Sequence, residues 1–388
     1  MAVCIVGWAH TPFGKLEGCD AEALIVEVTR GAIAHAGVSP ADIDDIYLGQ
    51  FNGGFSPQEF PSSLALQADE ALRFKRATRV ENACATGSAA IYQGIAAIEA
   101  KRSRLVLAVG VEKMTDLPRE RVAEILLRGC YLKEESDTSE GFAGIFARIC
   151  RLYFQRYGDQ SDAIARIAAK NHRNGTANPW AHIRKDLGYE FCRTASAKNP
   201  VVAAPLKRTD CSMVSDGAAA VVLADVPTAL VLERAVVFRA AQHVNDFLPM
   251  SRRDVLAWDG VRLAFARAYE EAKVRVADLS LAEVHDCFTI AELMAYEAMG
   301  LTAPGEGARA ALEGWTEKGG RLPVNPSGGL KAKGHPIGAT GVSMHVLAAM
   351  QVCEEAGGMQ VPNARLAAIF NMGGTGVANY VSIVERIH

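Results

Sequence analysis

Short apolar runs alternate with amphipathic stretches along the first part of the chain. Residues 2–7, 45–48 and 104–110 predict strands, and the last of these is apolar throughout, as expected of a strand buried on both faces. Residues 21–36 and 62–68 predict helices between them. Such alternation is typical of a layered α/β fold in which helices pack on sheets.

The regular pattern stops near residue 117 and then resumes. The interval 117–205 turns polar and loop-like, which predicts an insertion with a few helices of its own. Strand-like residues return at 210–224, and a second unit starts at 235–238 and repeats the order of the first. We therefore predict two packed copies of one α/β unit whose helix-opening turns meet. The predicted segments are 1–116 with 206–230 for the first half, 117–205 for the loop domain and 231–388 for the second half.

Composition limits the class of protein. The chain has 388 residues, 49% of them hydrophobic, so two or three core-bearing units are expected. The formal net charge is −3 and the chain has no Lys/Arg block, which argues against binding to nucleic acid or to an anionic membrane. No apolar run reaches the roughly 18 to 20 residues of a membrane span, and the N-terminus shows no basic leader. These features predict a cytoplasmic protein that binds neither nucleic acid nor membrane.

Nine cysteines are spread along the chain without a Cys-x-x-Cys pair. Neither a disulfide framework nor a zinc site fits this spacing, so reduced thiols and no bound metal are predicted. Cys84 differs from the others because it lies at a helix start, within Asn-Ala-Cys-Ala-Thr-Gly-Ser at 82–88. Unpaired backbone N–H groups on the first turn of a helix favour a thiolate, which predicts a nucleophile. A buried, inert cysteine is the alternative.

His335 lies in a second Gly-rich stretch that opens a helix. Residues 325–341 contain five glycines and two prolines, so they predict a loop of fixed shape rather than the interior of a strand or helix. Loops held on a rigid scaffold are where catalytic groups concentrate. If the two turns meet, His335 is placed to take the proton of Cys84.

Two further motifs add candidate chemistry. The segment Val-His-Asp-Cys-Phe joins a strand to a helix that begins near Thr289, and it offers a second imidazole, His285, and a second thiol, Cys287. Metal binding is the alternative there, and Asp286 is predicted to cap a helix. Residues 371–376, Asn-Met-Gly-Gly-Thr-Gly, separate two strand-like runs. Consecutive glycines allow backbone N–H groups to point into a cavity, as an oxyanion hole requires; a hairpin without a catalytic role is the alternative.

Together these motifs resemble the thiolase superfamily, most closely its sterol-carrier-protein-type and archaeal-like branches. The resemblance spans nearly the whole chain. It implies an α/β fold of five layers, α-β-α-β-α, built from two similar βαβαβαββ halves with a loop domain inserted in the first. It also implies an acyltransferase that makes or cleaves a carbon–carbon bond in a 3-ketoacyl-CoA, with coenzyme A as a substrate and no permanently bound cofactor.

The resemblance implies a role for each candidate residue. Cys84 would accept the acyl group, and His335 would activate it. Standard thiolases have a second cysteine where this chain has Asn371. In the sterol-carrier-type branch the cysteine of the His-Asp-Cys-Phe motif, here Cys287, takes over the proton transfer at the α-carbon.

Two oxyanion holes are implied as well. One would be formed by His335 and a water. In standard thiolases an asparagine positions this water, and here His285 stands in its place. The other would be formed by the backbone N–H groups of Cys84 and Gly373.

Two other functions stay open at this point. An aldolase-like lyase acting on a 3-hydroxyacyl-CoA forms no acyl-enzyme and need not keep Cys84. A non-catalytic acyl-CoA- or lipid-binding protein is the other alternative, because Asn371 occupies the place of the usual second cysteine. The family implies a homodimer or homotetramer, and some archaeal-like relatives act with a zinc-containing OB-fold protein. No motif identifies the residues that bind the phosphates of coenzyme A, although Lys207 and Arg208 are candidates.

Overall fold

The computed structural model describes residues 2–138 and 140–388. Met1 of the predicted first half and Ser139 of the predicted loop domain therefore lie outside the described residues. The first half begins with alternating strands and helices, and the helix predicted at 21–36 has the bounds that the pattern indicated. In chain order its elements are β1 (Val3–His10), α1 (Ala21–Ala36), β2 (Asp45–Gly49), α2 (Pro61–Leu64), β3 (Arg76–Val80), α3 (Thr86–Glu99) and β4 (Leu105–Glu112).

The inserted segment is mainly helical, and the last strand of the first half follows it. Its elements are α4 (Arg119–Leu127), α5 (Leu132–Glu135), α6 (Phe142–Tyr157), α7 (Ser161–Gly175), α8 (Tyr189–Arg193), β5 (Val201–Ala203) and β6 (Leu206–Lys207), after which β7 (Gly217–Asp225) and α9 (Val226–Ala229) complete the half.

The second half repeats this order with one difference. Where the repeat leads us to expect a third strand, Val324 makes a single parallel bridge to Ala282. The elements are β8 (Val236–Asn245), α10 (Asp259–Ala272), β9 (Leu281–Val284), α11 (Thr289–Ala298), α12 (Gly307–Leu312), α13 (Gly329–Lys333), α14 (Ile337–Val352), β10 (Leu366–Gly373) and β11 (Ala378–Arg386). Short 3-10 turns occur at Pro40–Asp42, Ala65–Ala68, Glu70–Leu72, Arg208–Asp210, Met250–Arg252, Val276–Asp278 and Gly357–Met359.

The strands and helices stack in five layers. Hydrogen bonds connect the main strands in the order β3-β2-β4-β7-β1-β8-β11-β10-β9, and the halves join where β1 meets β8 at two paired positions. Helix α14 packs against β4 and β7 on one side and against β10 and β11 on the other, with α3 beside it. Helix α1 covers the outer face of the first sheet, and α10 covers that of the second. The predicted order α-β-α-β-α is therefore confirmed.

The two central helices meet backbone to backbone at glycines. A Cβ on Gly87 of α3 would lie 2.7 Å from the nitrogen of Val342, and a Cβ on Gly341 of α14 would lie 2.3 Å from the nitrogen of Ser88. Any side chain at these positions would force the helices apart. This crossing brings the N-terminal ends of α3 and α14 together, which positions the candidate residues that precede each helix.

The inserted segment is less peripheral than its polar composition suggested. Helix α7 buries Lys170, Asn171 and His172 because it packs against α11, α12 and α13 of the second half. Lys170 forms an ion pair with the buried Glu292, and Asn171 donates to the same carboxylate, so these two polar residues lie in the interior as a bonded network. Among the described residues, no helix is both long and apolar enough to cross a bilayer. The three-segment division of the chain stays a prediction.

Candidate active site

One cavity of about 550 Å³ contains three of the predicted residues in its wall: Cys84, Cys287 and His335. Most of the wall is apolar. Helix α4 contributes the face formed by Arg119, Val122, Ala123 and Leu126, whose spacing places all four on one side of the helix. Phe51, Leu117, Phe142, Phe288 and Ile337 complete much of the apolar surface.

Cys84 lies in a tight turn that precedes α3. Ala83 has a φ of +48°, an unusual backbone conformation for a residue with a side chain. Thr86 holds this turn, because its Oγ1 accepts from the nitrogen of Asn82 at 2.8 Å and donates to the oxygen of Ala83 at 2.6 Å. Our expectation that Cys84 stands on the first turn of the helix is therefore wrong by two residues, since α3 begins at Thr86.

The expected thiolate is also corrected. Burial raises the pKa of Cys84 to about 12, although a hydrogen bond from the backbone N–H of Gly374 acts in the opposite direction. Cys84 is consequently a thiol at neutral pH and needs a base before it can attack. The backbone N–H that reaches its sulfur belongs to Gly374. The oxyanion hole formed by the N–H groups of Cys84 and Gly373 stays a prediction.

His335 lies in the loop between α13 and α14, and its hydrogen bonds define which ring nitrogen carries the proton. The hydroxyl of Thr340 is 2.9 Å from the oxygen of Pro336, and we assign its proton to that contact, so that Oγ1 accepts from Nδ1–H of His335, 2.7 Å away. Burial lowers the pKa of His335 to about 3, and the ring is neutral. In this tautomer Nε2 keeps a lone pair that can accept a proton.

Buried carboxylates hold this loop in place. Asp286 accepts backbone N–H groups from Leu330 at 2.6 Å and Lys331 at 3.2 Å, and thus caps α13. The predicted capping role is correct, but it serves α13 rather than the helix that follows Asp286 in the chain. Glu112 of β4 accepts the N–H of Gly338 at 3.0 Å at the start of α14. Both ends of the His335 loop are thereby tied to strands or strand ends.

His285 follows β9 and is fully buried beside His335. Their rings lie edge to face with centroids 5.1 Å apart. Nδ1 of His285 is 2.9 Å from Nδ2 of Asn371, whereas Nε2 is buried and has no hydrogen-bond partner within 2–138 and 140–388. Burial, with smaller contributions from His335 and Lys333, lowers the pKa of His285 well below its usual value, so this ring is neutral too.

Asn371 lies within β10, not in the loop that we predicted for residues 371–376. Its Oδ1 accepts from the hydroxyl of Ser88 at 2.7 Å, and its Nδ2 donates to the oxygen of Cys84 at 3.1 Å as well as to His285. One amide thus connects the turn of the first half to the histidine of the second.

Cys287 follows His285 by two residues and faces the cavity, with 5% of its surface exposed. Burial raises the pKa of Cys287 well above its usual value, and the proximity of Cys84 adds to the shift. The second thiol is therefore protonated at rest. Of the four predicted side chains, Cys84, Cys287 and His335 line the cavity, and the fully buried His285 lies beside His335 without forming part of the wall.

Cys84, His285 and His335 also offer metal ligands. In the described part of the chain they are the group whose donor atoms could hold an ion, within 4.8 Å of one another. The hydrogen bonds do not fit this use. Because Nδ1 of His285 accepts from Asn371, its Nε2 carries the proton and has no lone pair for a metal.

The two residues predicted as candidates for binding phosphate, Lys207 and Arg208, differ in their exposure. Lys207 is buried and paired with Asp210 at 2.7 Å, so it is not available to a ligand. Arg208 is exposed and borders the cavity, as do Arg119 and Lys15. Neither Arg119 nor Lys15 was predicted, because an exposed cation carries no distinctive sequence signal.

The sequence analysis did not predict the residues that hold the candidate side chains in place. Thr340 and Ser88 lie inside the Gly-rich motifs, so their fixed spacing from His335 and Cys84 was a usable signal. Glu112 had no such signal, since it lies at the end of an apolar strand far from either motif. Its contact with Gly338 joins residues 226 positions apart.

Comparisons with known proteins agree with this arrangement. Residues 3–226 match the family described as "Thiolase, N-terminal domain", and residues 241–386 match "Thiolase C-terminal domain-like". The chain is 38% identical to an acetyl-CoA acetyltransferase of Methanothermobacter thermautotrophicus, over 99% of both chains. It is 30% identical to human sterol carrier protein 2, over 96% of this chain and 70% of the relative.

Solved structures show the same fold. The chain matches an Ltp2-ChsH2(DUF35) aldolase with a TM-score of 0.84 at 22% identity, over 99% of this chain and 97% of the other. It matches human mitochondrial 3-ketoacyl-CoA thiolase in complex with CoA with a TM-score of 0.75 at 17% identity, over 100% and 98%. The two matched thiolase domains and the full-length relative establish that the chain belongs to the thiolase family.

Proposed function

We propose that the chain is a thiolase, an acyltransferase that cleaves or forms the carbon–carbon bond of a 3-ketoacyl-CoA through an acyl group on Cys84. The observation that carries the proposal is that Cys84, Cys287 and His335 line one apolar cavity, with a second imidazole, His285, close to Cys84 and His335. The 38% identity to an acetyl-CoA acetyltransferase over the full length supports it.

The resting protonation states suit the first step of thiolysis. Nε2 of His335 removes the proton of Cys84, and the sulfur attacks the 3-keto carbon. The bond between C2 and C3 then breaks, which leaves the acyl group on Cys84 and the enolate of acetyl-CoA. Cys287, a thiol at rest, donates its proton to C2 of this enolate, and acetyl-CoA departs.

The second stage restores both thiols. The thiolate of Cys287 takes the proton of coenzyme A, whose sulfur attacks the acyl carbon on Cys84. The thiolate of Cys84 leaves and recovers its proton from His335. The products are acetyl-CoA and an acyl-CoA two carbons shorter than the substrate, and the same steps in reverse form the bond.

Negative charge develops on carbonyl oxygens in each stage, and fixed donors stabilise it. Nε2–H of His285, with His335 once it is protonated, faces one oxygen. The backbone N–H groups of Cys84 and Gly373 serve the other, as the resemblance implies. His285 thereby takes the donor role that we first expected of a water.

The cavity also bears on the substrate. Its apolar face on α4 suits an acyl chain, and the exposed cations Arg119, Arg208 and Lys15 suit the phosphates of coenzyme A. We include in the proposal the three-segment domain division, a homodimer or homotetramer, a cytoplasmic location and an association with a zinc OB-fold partner. A DUF35 complex occurs in one structural neighbour.

Thiolysis of acetoacetyl-CoA and longer 3-ketoacyl-CoA substrates tests the proposal. We expect consumption of coenzyme A thiol by the wild type and a loss of at least about 10⁴-fold in Cys84→Ala. Intact-mass measurement after acyl-CoA treatment should show an acyl adduct on Cys84. Turnover of a 3-hydroxyacyl-CoA without an adduct would instead indicate the lyase, and binding without any turnover a non-catalytic protein.

A further inference from the structure

The amide of Asn371 has a determined orientation. A backbone carbonyl only accepts hydrogen bonds, so the amide atom 3.1 Å from the oxygen of Cys84 must be the nitrogen. The hydroxyl of Ser88 donates to the opposite amide atom at 2.7 Å. Rotating the amide by 180° would place two oxygens against each other, and the present orientation is therefore fixed by the turn that carries Cys84.

This orientation decides the tautomer of His285. Nδ2 of Asn371 donates to Nδ1 of His285 at 2.9 Å, and Nδ1 must then accept. A neutral imidazole that accepts at Nδ1 carries its proton on Nε2. That N–H is fully buried and has no partner among the residues that the structure describes. Buried donors are almost always paired, so an unpaired one beside a nucleophile indicates an acceptor that arrives with the substrate.

We propose that Asn371 is a positioning residue, which holds the proton of His285 on Nε2 so that His285 donates to the oxygen that becomes negative during acyl transfer at Cys84. This rests on the proposed function. It gives the departure from the standard thiolase cysteine a purpose, because a thiol at this position could not connect Ser88, Cys84 and His285 in the same way. Asn371 does not touch the substrate; it acts through His285.

Asn371→Asp keeps the shape of the side chain and reverses the hydrogen bond to His285, and it also removes the hydrogen bond to the oxygen of Cys84. The carboxylate accepts from Nδ1–H, so a neutral His285 then has a lone pair on Nε2 and only its imidazolium form can donate. The titratable neighbours of His285 are His335, Lys333 and Cys84, together with Asp286 and Cys287 in its own segment. None of them changes in the variant.

The expected result is a new pH dependence. The kcat of Asn371→Asp should fall by at least about tenfold relative to the wild type as pH rises through the pKa of its imidazolium, while KM changes little. Asn371→Ala removes the donor without adding a charge, so it should lower kcat and keep the shape of the wild-type profile. A profile of Asn371→Asp that superimposes on that of the wild type would overturn the proposal.

Zinc gives a readout that needs no catalysis, and its measurement on the wild type needs no variant at position 371. In the wild type, Nε2–H of His285 cannot ligate Zn²⁺, so one equivalent should not protect Cys84 from iodoacetamide. Asn371→Asp should gain protection, because its neutral His285 completes a Cys-His-His site. Protection of the wild type that His285→Ala abolishes would overturn the proposal. If the wild type cleaves no 3-ketoacyl-CoA, the proposed function fails, but alkylation still reports the tautomer.

Discussion

His335 and His285 are alike in surroundings and opposite in hydrogen bonding. Both rings are buried, neutral and close to Cys84, and their centroids are 5.1 Å apart. Thr340 accepts from Nδ1 of His335, which leaves Nε2 as an acceptor. Asn371 donates to Nδ1 of His285, which leaves Nε2 as a donor. The hydrogen-bond partner of Nδ1, rather than the position of the ring, decides that one histidine removes a proton and the other stabilises negative charge.

The largest expected difference comes from removing the base. His335→Ala should lower kcat for thiolysis by about 10²- to 10⁴-fold, because it removes the base that takes the proton of Cys84, whose pKa is raised to about 12. The rate of Cys84 alkylation by iodoacetamide at pH 8, followed by peptide mass mapping, should fall as well. An unchanged alkylation rate would show that His335 does not activate the thiol.

Removing the donor should leave the nucleophile intact. His285→Ala should lower kcat by about 10²- to 10³-fold, the usual loss for one oxyanion donor. Its Cys84 should react with iodoacetamide at the wild-type rate, since His285 takes no proton from the thiol. If both histidine variants slow alkylation equally, the two rings do not have separate roles.

Most of the fold followed from the sequence, and the difference between the histidines did not. Alternating periodicity predicted α1 and β4, and the glycines of the two motifs predicted that Cys84 and His335 meet. The tautomers depend on Asn371, which contacts Ser88 from 283 positions away and His285 from 86. Local patterns carry no information about such pairs. The prediction of a thiolate at Cys84 was wrong for a related reason. A nearby helix start lowers the pKa of a thiol, but burial raises the pKa of Cys84, and the sequence around Cys84 does not show that burial.

Weakening the support of one histidine should have a smaller effect. Thr340→Val preserves the shape of the side chain but cannot accept from Nδ1–H of His335, at a cost of about 1 to 3 kcal/mol. We expect kcat to fall by about tenfold to a hundredfold, with Thr340→Ser as the control that restores the hydroxyl. Equal activity of the valine and serine variants would contradict the assigned tautomer of His335.

The pH dependence of the thiolate's ultraviolet absorbance separates a neutral thiol and imidazole from an ion pair. With the pKa of Cys84 raised to about 12 and that of His335 lowered to about 3, the thiolate fraction should rise about tenfold for each pH unit between pH 7 and 10. The absorbance difference between the wild type and Cys84→Ala should therefore stay close to zero at neutral pH and rise only toward pH 10. A thiolate absorbance that is already complete and flat above pH 6 would indicate a thiolate–imidazolium pair at rest.

The most direct measurement of the contrast is the protonation of the four ring nitrogens. Nitrogen-15 NMR of the histidine-labelled, deuterated wild type distinguishes Nδ1–H from Nε2–H by chemical shift, and His335→Ala and His285→Ala assign the signals. We predict Nδ1–H for His335 and Nε2–H for His285. The same tautomer in both rings, or a charged ring in either, would contradict the account.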